Sequence, residues 1–190
     1  MERMDQQRDG VIVVGVDGSP GSAAALDFAL SEGLSRGRTV EIVTGWLWTA
    51  SSDGPGHESK LAQGRSVIAR MQDGELMAAL KRLGASPVVS QLVVHDYAGR
   101  VLVARAEHVS MLVVGGGDQS SSSRKTVGSV AEYCVRHSGA PVLVVPDPAR
   151  ARRRASLAQL STVPPCSLYP RPRPGGAVSS LRDGRGSESP

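Results

Sequence analysis

The chain has 190 residues, of which 40% are hydrophobic and only 3% aromatic, with a formal net charge of +4. That length suits one domain with a buried core, and the charge sits almost wholly in one segment. From Asp147 onward eight arginines stand against three acids, leaving fourteen cations against fifteen anions elsewhere, so the body is not a basic nucleic-acid platform and nucleic acid is not an expected partner.

The first ten residues, MERMDQQRDG, are charged and lack the apolar core of a secretory signal, and no window reaches 18 consecutive apolar residues. The expectation is a cytoplasmic protein without a membrane span. Val11 to Val16 (VIVVGV) is a short continuous apolar run, the pattern of a strand buried on both faces. Ser19 then stands as helix N-cap and Pro20 as first helical residue, with Leu26, Ala29, Leu30 and Leu34 on one side and Gly37 near the end. Val40 to Val43 gives a second strand, which leads into Thr44-Gly45-Trp46-Leu47-Trp48. The tryptophans read better as rings buried against the sheet edge than as stacking platforms for a base.

A polar loop through Ser51 to Pro55 precedes a helix over Leu61 to Leu83, in which Gly64 and Gly74 each cost about 1 kcal/mol relative to Ala. Val88 to Val94 is strand three, Gly99 to His108 a short helix, and Met111 to Val114 strand four. Ser129 to His137 is the last helix, stopped by Gly139, and Val142 to Val145 is strand five. Beyond Pro146 the sequence is rich in Arg, Pro and Ser with no sustained apolar period, so residues 147–190 are expected to be a disordered tail. The domain reading is therefore a lead over 1–10, a folded domain over 11–146 and that tail.

Alternating strands and helices predict an α/β fold, an open five-stranded parallel sheet with right-handed crossovers and helices on both faces. Ligands in such sheets sit beyond the carboxyl ends of the strands, where the strand order reverses. Two glycine-rich loops compete there, Val16-Asp17-Gly18-Ser19 after strand one and the segment from Gly115 to Gly128 after strand four. If strands one and four are neighbours, these loops face each other across one crevice.

Several familiar motifs fail. Arg124-Lys125-Thr126 has Arg where a Walker A loop needs Gly, and Gly15, Gly18 and Gly21 are evenly spaced rather than set as G-x-G-x-x-G. His57, His95, His108 and His137 show no metal-ligand spacing, and there is no G-x-S-x-G elbow. Cys134 falls on the apolar side of a helix and Cys166 in the tail, so a disulfide between them is not expected. Ser120 to Ser123 read as a flexible polar loop, and Arg150 to Arg154 as a solvated run.

What remains is a spacing. Gly115, then Asp118, nine residues, then Gly128-Ser129 follows the outline G-x-x-G-x9-G-[ST] after a fourth strand. Together with Val13 to Ser19 (VVGVDGS), Met111 to Gly115 (MLVVG) and Ser138 to Pro146 (SGAPVLVVP), it resembles the universal stress protein family over roughly residues 10 to 146. The resemblance implies a Rossmann-like, adenine nucleotide alpha hydrolase-like sheet of order 3-2-1-4-5. It implies ATP as ligand, with Mg2+, in a cytoplasmic homodimer joined through the last strand and active in stress adaptation. Val16 and Asp17 would meet the nucleoside, the Gly45 backbone the adenine, and Gly115, Asp118, Gly128, Ser129 and Val130 the phosphates. No nucleophile or general base is placed, so the enzyme reading extends at most to slow ATP hydrolysis.

Asp118 stands in the place of the family's second loop glycine, and Gly117 comes one residue early. A carboxylate about 4 Å from a phosphate charge is repelled by roughly 4 kcal/mol at an effective dielectric near 20. Arg124-Lys125 or a shared Mg2+ would offset part of this. The alternative reading is thus a nucleotide-free member that serves as a dimerisation or interaction unit.

Overall fold

The computed structural model describes residues 10–47, 57–117, 127–149 and 152. Five strands form one sheet: β1 (Val11–Gly15), β2 (Thr39–Trp46), β3 (Val89–His95), β4 (Met111–Gly115) and β5 (Val142–Val145). Their order is β3-β2-β1-β4-β5, and every pairing is parallel, so the chain reverses direction of travel across the sheet between β1 and β4, as expected. Val13 is central, facing Glu41 of β2 on one side and Leu112 of β4 on the other.

The alternation of a strand divides the core in two. Ile12 and Val14 point to one face and pack with Leu26 and Leu30 of α1 (Pro20–Arg36) and Ala79 of α2 (His57–Leu83). Val13 and Leu112 point to the other and pack with Leu102 of α3 (Ala98–Arg105) and Cys134 of α4 (Ser129–His137). Each fully buried Leu or Val contributes about 1.5–3 kcal/mol of transfer free energy, which is what keeps helices on both faces. On the α3 face the buried Glu41 carboxylate accepts from the Arg105 guanidinium, so the apolar run of β2 contains one charge that arrives with its partner.

Local signals set most boundaries. Ser19 Oγ accepts from Ser22 N–H at 3.2 Å, Pro20 opens α1, and Gly37 closes it in the left-handed region at φ 62°. Three expected limits are corrected. β2 runs to Trp46 rather than Val43, because Thr44, Gly45 and Trp46 continue to pair with Val93, Val94 and His95. Helix α2 begins at His57, a turn ahead of its first apolar residue. Helix α3 ends at Arg105, where Ala106 N–H is shared between the Leu102 and Val103 carbonyls, and the chain then turns through His108 at φ 57°.

Trp46 lies within β2, and its ring fills the space over Gly64, where a Cβ would come within 2.6 Å of Cη2. That glycine's propensity cost is therefore offset by a close helix–sheet contact, whereas a Cβ on Gly74 would meet nothing. Trp48 and Ser51 to Pro55 lie outside the described residues, as does the lead over 1–9. Past β5, Pro148 and Ala149 take helical backbone, and the Asp147 carboxylate accepts from Ala149 N–H at 2.9 Å. The rest of the tail, except Arg152, lies outside the described residues.

Candidate functional site

The loop after β1 is tied to β2 through its backbone. Val16 N–H donates to the Val43 carbonyl at 3.0 Å, and the Val16 carbonyl accepts from Thr44 Oγ1 at 2.7 Å. Thr44 Oγ1 in turn accepts from Gln72 Nε2 at 3.0 Å. Gln72 is 1% exposed and also reaches the Ile42 and Leu92 carbonyls at 3.3 Å. A buried amide from α2 thus fixes the floor on which Asp17 stands.

Asp17 itself faces solvent, one carboxylate oxygen accepting from Ser19 N–H at 3.0 Å, while its own N–H donates to Ser22 Oγ at 3.3 Å. Desolvation by the neighbouring chain raises its pKa. Hydrogen bonds from the Ser19 hydroxyl and amide, with smaller help from Ser22 and its own backbone, outweigh this and hold the carboxyl below the ordinary 3.8. The side chain is a fixed anion at neutral pH, oriented to accept a further donor such as a hydroxyl.

The end of β4 is built on backbone contacts that only glycine permits. A Cβ on Gly115 would lie 2.6 Å from Gly21 C and 2.7 Å from Ser22 N, so β4 abuts the start of α1. Gly116 N–H donates to Val145 O at 2.8 Å, and Gly128 N–H to Gly116 O at 2.9 Å. Gly117, at φ 80°, has Gly128 Cα 2.6 Å from its Cβ position. The chain therefore leaves at Gly117 and returns at Gly128 through one pinch. Asp118, Ser120 to Ser123, Arg124 and Lys125 lie on the intervening segment, outside the described residues.

Helix α4 starts directly from that pinch. Its N-cap is Gly128, no side chain caps it, and Ser129 and Val130 are exposed. The backbone N–H groups of a helix start, at the positive end of the dipole, favour anions by about 0.3–2 kcal/mol.

Between the two loops lies a narrow space of about 50 Å³, lined by Val16, Asp17, Gly45, Ala98 and Val130 among others. Gly45 belongs there because a Cβ would strike Ala98 Cα at 2.5 Å, so the turn into α3 closes directly over β2. Ala98 and Val130 also border a wider outer space of about 250 Å³, shared with Tyr97, Arg100, Ser129 and Tyr133. Jointly the two stand at the lower end of the roughly 300–1,000 Å³ of small-molecule sites.

Of the sequence-derived residues, Val16, Asp17, Gly45 and Val130 meet around the inner space and Ser129 borders the outer one. Gly115 and Gly128 line neither and shape the loops instead. Thr44, Gln72 and Ala98 were not singled out by sequence. A glutamine beside Met71 on an otherwise apolar helix face was the one signal that pointed to Gln72. Among the described residues, no three His, Cys, Asp or Glu side chains are grouped to hold a metal.

Comparison with known proteins follows the same outline. A universal stress protein of Mycobacterium tuberculosis is 28% identical over 141 residues, covering 74% of this chain and 46% of that one. The chain spans about half the length of the curated relatives it matches. Among solved structures, the universal stress protein UspA from Lactobacillus plantarum has a TM-score of 0.59 at 18% identity, over 73% of this chain and 98% of that one, and shows the same fold. A universal stress protein in complex with cAMP has a TM-score of 0.52 at 25% identity, over 74% and 98%. The model described as the universal stress protein family matches residues 10–146, which include all five strands and the four helices described above, and the chain belongs to that family.

Proposed function

We propose that residues 10–146 form an adenine-nucleotide-binding module, with ATP and Mg2+ as the working ligand, acting in cytoplasmic stress adaptation. The observation that carries this reading is the convergence of Asp17, the Gly45 backbone and the start of α4 on one crevice at the carboxyl ends of β1, β2 and β4. Asp17 would accept from a ribose hydroxyl, Gly45 and Ala98 would bound the base, and Ser129 and Val130 would meet phosphate. A family member at 25% identity that carries cAMP supports the ligand class. With no nucleophile or general base assigned, the proposed role is binding, and hydrolysis at most a slow side activity.

Equilibrium dialysis of the full chain with labelled ATP tests this directly. Binding is expected, and its absence at millimolar nucleotide would refute the reading.

The smallness of the inner space, about 50 Å³, favours a second reading, in which the same fold acts without nucleotide as a dimerisation or interaction unit. Asp118 belongs to that reading as well. An Asp118→Gly variant separates the two. If charge repulsion is the obstacle, it gains up to about a thousandfold in ATP affinity, from the roughly 4 kcal/mol expected at close range.

A further inference from the structure

The outer space has a composition that the family's loop motif does not account for. Its walls are Tyr97 at the entry to α3, 62% exposed, and Tyr133 of α4, whose ring is held against Gly99, where a Cβ would lie 2.8 Å from Cδ1. Tyr133 is backed by His137, with ring centroids 4.2 Å apart. Among the described residues that line this space, Arg100 carries the one charged side chain. Its guanidinium is 65% exposed and meets the Asp96 carboxylate at 3.8 Å, a long contact, while that same Asp96 oxygen accepts from Tyr97 N–H at 2.7 Å. Arg100 is therefore held near the mouth without being committed there.

We propose that Arg100 is a specificity-determining residue that reads the anionic end of a ligand seated in the inner space, so that the crevice selects nucleotides bearing free terminal phosphates over nucleosides. This rests on the nucleotide reading above. Ala98 and Val130 border both spaces, so among the described residues the outer space, between α3 and α4, adjoins the place where a ligand anchored at Asp17 would sit. The lining of the outer space is aromatic and apolar apart from Ser129 and Arg100, of which Arg100 alone is charged, and a cation beside low-dielectric walls favours an anion over a neutral group. Being planar and always charged, the guanidinium matches a phosphate through two donors.

Titration calorimetry of the full chain with adenosine, AMP and ATP, at low ionic strength, tests the assignment. The wild type is expected to bind ATP more tightly than adenosine. Arg100→Gln is expected to lose about three- to tenfold in ATP affinity and leave adenosine unchanged, with Arg100→Lys keeping part of the difference. The loss shrinks at high salt, because the group is exposed. Unchanged ATP affinity in Arg100→Gln, with ATP still bound, overturns this assignment and leaves the nucleotide reading standing. Failure of the wild type to bind either adenosine or ATP overturns both.

Discussion

At the scale of single residues, Asp17 does two jobs that pull on the same proton. It closes the turn into α1 by accepting from Ser19 N–H, and it presents a fixed negative charge to the crevice. Its folded pKa lies below the ordinary 3.8, so the charged form is the one folding favours. The stabilisation is therefore fully present above the unfolded value and lost as pH falls through the folded one. Asp17→Ala is expected to cost about 0.5–1.5 kcal/mol at neutral pH, and that deficit should narrow in urea melts taken below pH 3.8. A deficit that stays constant across the titration would show that the charge plays no part. The loop Val16-Asp17-Gly18-Ser19 was legible in the sequence because it follows a buried strand and opens a helix, whereas the role of Asp17 toward a nucleoside came from family resemblance. Gly45 became visible only through family resemblance, since its reason is a 2.5 Å approach to Ala98, more than fifty positions away in the chain.

At the scale of elements, the site depends on how α2 is seated, and Gln72 is the joint. Its amide hydrogens are shared among the Ile42 and Leu92 carbonyls and Thr44 Oγ1, the last of which holds Val16. Replacing Gln72 by Leu removes these bonds but leaves an apolar side chain of similar size, at a cost of about 1–3 kcal/mol. Gln72→Glu places a buried carboxylate against three acceptors, so it should be the more damaging at neutral pH. Burial raises that carboxyl's pKa, so its excess damage should fade as pH drops and the group takes up a proton. Thermal melts of the two variants across pH 5–8 check this, and parallel curves would contradict it. The same element shows why boundaries were harder to read than existence. Thr44 and Trp46 suit a strand but Gly45 between them does not, and pairing with Val93 to His95 is what carries β2 through it. Conversely, Ser19-Pro20 and Gly37 determine α1 locally, and there the sequence reading and the structure coincide.

At the scale of the whole molecule, a parallel sheet that does not close has two edges, and they are unlike. β3 places Ser90 and Gln91 toward solvent, and Gln91 Nε2 is tied to Asp73 at 2.8 Å. β5 is Val142-Leu143-Val144-Val145, four half-buried apolar residues with one side paired to β4. Blunting by charge or proline is the usual protection for an exposed edge, and within β5 there is neither. The expected consequence is self-association through β5, two copies meeting antiparallel about a two-fold axis, with the same four residues on each side. A four-residue strand supplies only part of the roughly 1,200–2,000 Å² of a stable interface, so the association should be concentration-dependent rather than permanent. Sedimentation velocity on the full chain should then show a monomer–dimer shift as concentration rises, and a monomer throughout would refute it. Because α4 places Val130 at the crevice and directly precedes β5 in the chain, adding ATP to the same experiment asks whether the edge and the site are coupled. A binding event that ordered the start of α4 would strengthen the dimer by as much as the dimer strengthens binding, since coupling between two sites is reciprocal.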